Sequence, residues 1–321
     1  MSILKGNAVL FAFPFETIGE FYMKNKWNDF KPLYRAIILI ILSAFCFALM
    51  NMFVRLAGDL PSTQKSFFRN LIAFIIAAAA IIKDKVPLKV DKTAGIPLFL
   101  RSFIGTLGIL CNFYALDRLA LADASILNKM SPFFVIIFSI IILKEEITVP
   151  QLLFVIGALV GAMFVVKPTF ANTALVPAAI ALCGGICAGF AYTMVRLLGK
   201  KGVKGVLIVA FFSGFSCLFT LPFLLFDYHP MTVQQFIILI CAGLSAAGGQ
   251  FTITAAYTNA PARDVSIYDY TQIIFAAGLG FLVFGQIPDV FSWIGYFIII
   301  SMAASMFVYN KMNNETASAK K

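Results

Sequence analysis

Ten apolar runs, most of about 18 to 24 residues, divide this chain almost from end to end. A helix rises 1.5 Å per residue, so each run matches the roughly 30 Å hydrocarbon core of a bilayer. The runs lack the polar/apolar alternation of membrane β-strands. Composition points the same way: 61% of residues are hydrophobic, 12% are charged and mean hydropathy is +0.92. A soluble domain carries about 25% charge, and no soluble interior would hide so many Phe, Ile and Leu side chains. The expected class is an all-α integral membrane protein. Its ten transmembrane helices are expected near 34–57, 65–82, 97–116, 119–143, 149–166, 174–197, 205–226, 235–258, 262–284 and 290–309. The connections are short and leave no room for a separate soluble domain.

The flanks are small. Residues 1–33 form an N-terminal arm whose apolar piece "AVLFAFPF" is short, contains Pro14 and lacks a cleavage site, so it does not read as a signal peptide. It reads as an interfacial segment or a loose tail. Residues 310–321 are expected as a cytoplasmic tail. The formal net charge of +10 is not a nucleic-acid signature, because the basic residues sit between the apolar runs. With the N-terminus inside, eighteen Lys and Arg fall in cytoplasmic segments and five outside. That bias predicts a multi-pass protein of the cytoplasmic membrane with both termini in the cytoplasm.

A shift of 141 residues lays the second half on the first. "ADASILNKM" (122–130) then falls on "RDVSIYDYT" (263–271). Ser125 meets Ser266, Asn128 meets Asp269 and Lys129 meets Tyr270. Each half, 34–166 and 174–309, holds five spans, an odd number, so the halves are expected to be inverted. Secondary transporters commonly use this plan, with substrate held near the midplane where the halves meet.

Polar residues mark that midplane. Ser125, Asn128 and Lys129 are spaced i, i+3, i+4, as are Ser266, Asp269 and Tyr270, so each set is expected on one helix face. Ionisable residues inside a membrane are expensive and usually functional. These six, with Tyr268 and Gln250, are the expected substrate-binding residues. Lys129 would attract an anionic group, with Asn128 and Ser125 orienting it. Asp269 would meet a substrate amine, pair with Lys129 in the empty state, or carry a proton. Tyr268 and Tyr270 would line the cavity, and Gln250, beside Gly248-Gly249, would form a gate or wall. Arg55, Arg69 and Arg101 are expected to be interface anchors. Gly157-x-x-x-Gly161 and Gly185-x-x-x-Gly189 are expected to serve helix packing within the bundle, or sliding between its halves. The six cysteines all lie in predicted spans and are read as small apolar packing residues.

These stretches resemble a known family. "NMFVRLAG", "FFRNLIAF", "ALDRLALADASILNKMSPFFVIIFSIIILKEEIT" and "AAYTNAPARDVSIYDYTQIIFAAGLGFLVFGQIPD" are similar to the span signatures of the drug/metabolite transporter superfamily, EamA type. The resemblance covers about 34–309 and implies ten helices built as two inverted five-helix repeats. It also implies transport of amino acids, other metabolites or drugs. The first-half signature ends on Glu145. In the second half Gly285-Gln286 stands where the family usually has glycine–glutamate. The Asn128-Lys129 pair replaces residues usually apolar or small, so the family assigns Lys129 no role.

Other classes fit poorly. No G-x-x-x-x-G-K-[ST] loop is present for ATP, and no H-E-x-x-H can be built around the single histidine, His229. The expectation is a non-enzymatic secondary transporter of a small polar metabolite, an amino acid or related zwitterion being preferred. An organic-anion or phosphorylated-sugar exchanger, or a lipid-handling membrane protein, is the alternative. Expected partners are the substrate, the bilayer and a coupling proton. No cofactor, metal or nucleic acid is expected, and the protein would be a monomer or homodimer.

Overall fold

The apolar runs fold as helices wherever the structure describes them. The computed structural model describes residues 31–88, 90–116, 118, 127–166, 175–285 and 287–319. In chain order these form α1 (Pro32–Leu56), α2 (Ser62–Lys83), α3 (Lys92–Leu116), α4 (Ser131–Leu143), α5 (Val149–Val166) and α6 (Leu175–Lys200). Then come α7 (Gly205–Phe226), α8 (Val233–Asn259) and a four-residue α9 (Ala262–Val265). A 3-10 turn (Ser266–Tyr270) leads into α10 (Thr271–Phe284), and α11 (Val290–Ala319) ends the described chain. No strand occurs among the described residues.

Eight segments, counting α9 through α10 as one, are long and apolar enough to cross a membrane. The other two of the ten expected spans, α4 and α5, are present as shorter apolar helices. The fourth span differs most from its expected range of 119–143. Residues 119–126 lie outside the described residues, and regular helix begins at Ser131, after a turn at Lys129 and Met130. At the other end of the chain, α11 continues through Ala319, past the expected boundary at 309.

Helix ends follow from local chemistry. A capping box starts α8: the Thr232 side chain accepts from the Gln235 amide, and the Gln235 side chain accepts from Thr232. The left-handed conformation closes α4 at Lys144 (φ 52°) and α10 at Gly285 (φ 64°). That conformation turns following N–H groups back onto the last carbonyls of a helix and suits glycine, so Lys144 holds it at a steric cost. The two positions are 141 residues apart, as the sequence shift requires.

The helices pair in a regular scheme. α1 packs on α8 and α10, while α6 packs on α3 and α4; α2 packs on α8 as α7 does on α3. α2 also meets α7, and α5 meets α11. Exchanging α1–α5 with α6–α11 leaves this list unchanged. The bundle exposes large apolar side chains and buries charged and polar ones within its core. Leu218, Leu282 and Phe297 are each more than 70% exposed, whereas Arg69, Arg101, Lys129 and Gln250 are buried. That arrangement suits lipid as solvent.

Glycines set the closest contacts. A Cβ on Gly185 of α6 would lie 2.6 Å from the Leu127 carbonyl oxygen, directly beneath the turn that carries Asn128 and Lys129. A Cβ on Gly189 would lie 2.6 Å from the Phe134 Cβ. Gly157 and Gly161 likewise seat α5 on Met302 and Ile298 of α11. Both glycine pairs therefore serve packing within the bundle. Gly185→Leu is expected to lower the midpoint of thermal unfolding in detergent by several degrees, because overpacking here must displace backbone. Gly278→Ala, where a Cβ meets nothing within 4 Å, is the control and is expected not to lower it.

Candidate substrate site

Two interrupted helices meet at the centre of the bundle. One interruption is the turn before α4, and the other is the 3-10 turn between α9 and α10. Three residues per turn bring i and i+3 into register, so Ser266 and Asp269 align and Tyr270 points elsewhere. From the first turn, Lys129 reaches across to the second. Its Nζ donates to Asp269 Oδ2 at 3.1 Å and to Gln272 Oε1 at 2.6 Å, and lies 3.5 Å from the Asp269 carbonyl oxygen. Lys129 is 8% and Asp269 5% exposed, so the pair is largely shielded from solvent. A charge buried at this depth needs both a counter-ion and hydrogen bonds, and here it has both.

The pair borders an inner cavity of about 110 Å³. Asn128, Gln250, Gln272, Arg69 and Arg101 supply polar lining, and Tyr192, Phe212 and Met50 supply apolar surface. A vestibule of about 830 Å³ shares Asn51, Asn112, Asn128, Lys129 and Gln272 with it. The vestibule runs to the end of the bundle where α1 gives way to α2, at Arg55, Asp59 and Ser62. Arg55 is exposed there, with its guanidinium 4.7 Å from the Phe284 ring centroid, in line with an anchoring role.

The opposite, lysine-rich end is bridged by polar contacts. Glu145 pairs with Arg196 at 3.1 Å and Lys200 at 2.9 Å. Arg263 bonds the Glu146 carbonyl. The Gln151 amide donates to Asp264 and Asn310, each at 3.0 Å. Lys201 donates to the Thr93 carbonyl at 2.9 Å. Burial alone would raise the Glu145 carboxyl, but the hydrogen bonds and charges of Lys200 and Arg196 outweigh it. They hold it below its ordinary range.

Not every expected site residue lies here. Asn128, Lys129, Asp269 and Gln250 line the inner cavity together. Ser266, Tyr268 and Tyr270 are buried but are absent from the lining of both cavities. Ser125 lies outside the described residues. Two expected anchors are corrected: Arg69 is 5% and Arg101 2% exposed, and both line the inner cavity. The expected start of span three at 97 misplaced Arg101. Helix α3 begins at Lys92, so Arg101 stands more than two turns inside. Asp91, just before that helix and bonded to Thr93 at 2.7 Å, was the cap-like signal for the earlier start. Arg69 is two turns into α2, too deep to reach the interface easily. Tyr192, stacked on Tyr257 at 5.3 Å between centroids, and Gln272 carried no such signal.

The EamA-like transporter family model matches residues 34–167 and again 176–308. The chain belongs to the EamA-like transporter family. Among similar proteins is the pseudopaline exporter CntI of Pseudomonas aeruginosa strain UCBPP-PA14, 31% identical over 84% of this chain and 94% of that protein. An uncharacterized transporter of Helicobacter pylori strain J99 is 28% identical over 82% of this chain and 91% of its own. Human solute carrier family 35 member G1 is 26% identical over 77% and 72% respectively. One crystal structure aligns with a TM-score of 0.74 at 14% identity, covering 86% of this chain and 98% of that one, which establishes likeness of fold. This EamA-like protein is therefore a multi-pass membrane protein of a transporter family, and its relatives are transporters rather than enzymes.

Breaking a buried ion pair by removing one partner typically costs about 3–5 kcal/mol, whereas replacing both partners is often nearly neutral. Lys129→Met and Asp269→Asn are each expected to lower the thermal midpoint in detergent. The double variant should recover most of the loss. Losses that simply add would show that the two side chains do not act as a pair.

Proposed function

We propose that this protein is a secondary transporter that moves a small polar metabolite across the cytoplasmic membrane by alternating access. The observation that carries the reading is the polar inner cavity, which adjoins a vestibule toward one end while side chains of the two family-matched halves bridge the other. The two halves act as inverted five-helix repeats that rock about the cavity. The exchange symmetry of the helix pairing, the two helix interruptions and the paired left-handed caps at Lys144 and Gly285 support this reading. Helix breaks at matching places in two halves are a pointer to a transporter site. The lysine-rich end lies in the cytoplasm by the charge bias, so the vestibule faces outward.

The similarity to an exporter of pseudopaline and, at 22% identity, to a riboflavin transporter of Brucella anthropi supports a metabolite cargo. A zwitterionic substrate would need Asp269 to meet its amine, and Asp269 is already held by Lys129. A coupling proton on Asp269 would have to break that same pair.

The test is uptake into liposomes carrying the purified protein, with labelled amino acids, organic acids, sugars and polyamines. Saturable uptake of one class, accelerated by preloading with the same unlabelled solute, is the expected result. Failure to move any class, with lipid scrambling instead, would overturn the reading. Uptake that ignores an imposed pH gradient would remove the coupling proton.

The cytoplasmic bridge should depend on pH. The folded pKa of Glu145 is depressed, so its contribution is fully present above the ordinary carboxylate value of about 4.3. That contribution is lost as pH falls through the lower folded value. Glu145→Gln is expected to mimic the acid state at neutral pH. A cysteine placed at Thr258, in a variant lacking the native cysteines, should then react several-fold faster with a maleimide applied from the cytoplasmic side.

A further inference from the structure

We infer that the transported substrate is a small dianion whose oxyanion groups, carboxylate or phosphate, dock on Arg69 and Arg101. The inference rests on the transporter reading and assigns its cargo class. The argument is charge balance in a buried space. Four charged side chains line the inner cavity: Arg69, Arg101, Lys129 and Asp269. Lys129 and Asp269 neutralise each other at 3.1 Å, and Lys129 is further occupied by Gln272. Arg69 and Arg101 have no carboxylate partner among the described residues. Among the described residues, the side chains that line the empty cavity therefore carry a net charge of +2.

Their hydrogen bonding is as incomplete as their charge. A guanidinium offers five N–H donors in a planar fork. Arg69 places Nε on the Met50 sulfur at 3.0 Å, a weak acceptor, and one Nη of Arg69 is buried with no partner. Arg101 gives one Nη to Gln250 Oε1 at 3.1 Å, while its Nε is buried without a partner. The Arg101 guanidinium lies 4.0 Å from the Phe212 ring centroid, a contact that fixes its plane. Buried cations of this kind are normally paired. The fork geometry matches carboxylate or phosphate bidentately. A ligand with two such groups completes the donors and cancels the charge. A neutral zwitterion leaves the cavity at +2, and a cation adds to it. Lys129 is then a positioning residue that joins the two broken helices, and the anion site is the arginine pair.

The test uses purified full-length protein in detergent and reads thermal midpoint shifts and apparent affinities. The probes are citrate, succinate, glycerol 3-phosphate, alanine and putrescine. The dianionic and trianionic probes are expected to raise the midpoint, alanine and putrescine are not, and the stronger of the carboxylates and the phosphate identifies the oxyanion. Arg69→Gln and Arg101→Gln are each expected to weaken anion binding at least tenfold. Arg101→Lys, which keeps charge but loses the fork, should weaken it less. The empty Arg69→Gln protein is expected to melt higher than the parent, since an uncompensated buried charge has gone; a structural arginine would give the opposite. Unchanged anion affinity in both glutamine variants, no response to any anion at millimolar concentration, or a preference for alanine or putrescine would overturn the dianion site. Any of these can occur while liposome uptake still shows transport, so the cargo assignment can fail with the transporter reading intact.

Discussion

A lysine near the middle of an apolar bundle must be solvated by protein, and that requirement organises the centre of this molecule. Lys129 comes from the first half and its acceptors, Asp269 and Gln272, from the second. The ion pair is thus a strut between halves. It lies where neither helix is regular, which is consistent with backbone economy in a membrane. A continuous helix satisfies its own carbonyls, and an interruption leaves some of them needing donors. Lys129 lies within reach of the Asp269 carbonyl oxygen as well as its carboxylate, so it contacts both the backbone and the side chain of the turn that interrupts the second helix.

The strut also separates two kinds of cation. Lys129 is saturated and compact, with three acceptors about its ammonium. Arg69 and Arg101 are buried more deeply, and each keeps a buried guanidinium nitrogen with no hydrogen-bond partner. A protein retains such groups against their desolvation cost when a ligand completes them, since the completed state is the one on which function depends. In the proposed site, stability and binding thus lean on different residues within one cavity.

The class of the fold was legible because apolar run length is a direct reading of bilayer thickness, and lipid allows the backbone few solutions. Lys129 and Asp269 were legible because charge in such a run is rare. Arg101 was not, because its depth depended on five residues of helix boundary: the span was expected from 97, and the helix starts at Lys92. The stripe Ser266, Asp269, Tyr270 assumed 3.6 residues per turn. The 3-10 geometry at that point rotates Tyr270 off the line and puts its side chain in the core. Periodicity read from sequence presumes the helix whose interruption marks the site.

The halves differ where chemistry is concentrated. α7 and α8 stand opposite α2 and α3 in the pairing scheme, yet neither contains a charged residue. Arg69 and Arg101 therefore have no charged counterparts in the second half. Lys129 falls opposite Tyr270, and Asp269 opposite Asn128. In the proposed repeat, symmetry supplies what rocking requires: equivalent packing, equivalent breaks and equivalent caps at Lys144 and Gly285. A bound ligand, however, has no such symmetry, and a site built from identical halves would present it with the same groups twice. Placing both unpaired guanidiniums in one half, and the acid that neutralises Lys129 in the other, gives the cavity a direction. The first half carries the charge that a substrate would meet, and the second supplies the carboxylate that removes Lys129 from competition for it.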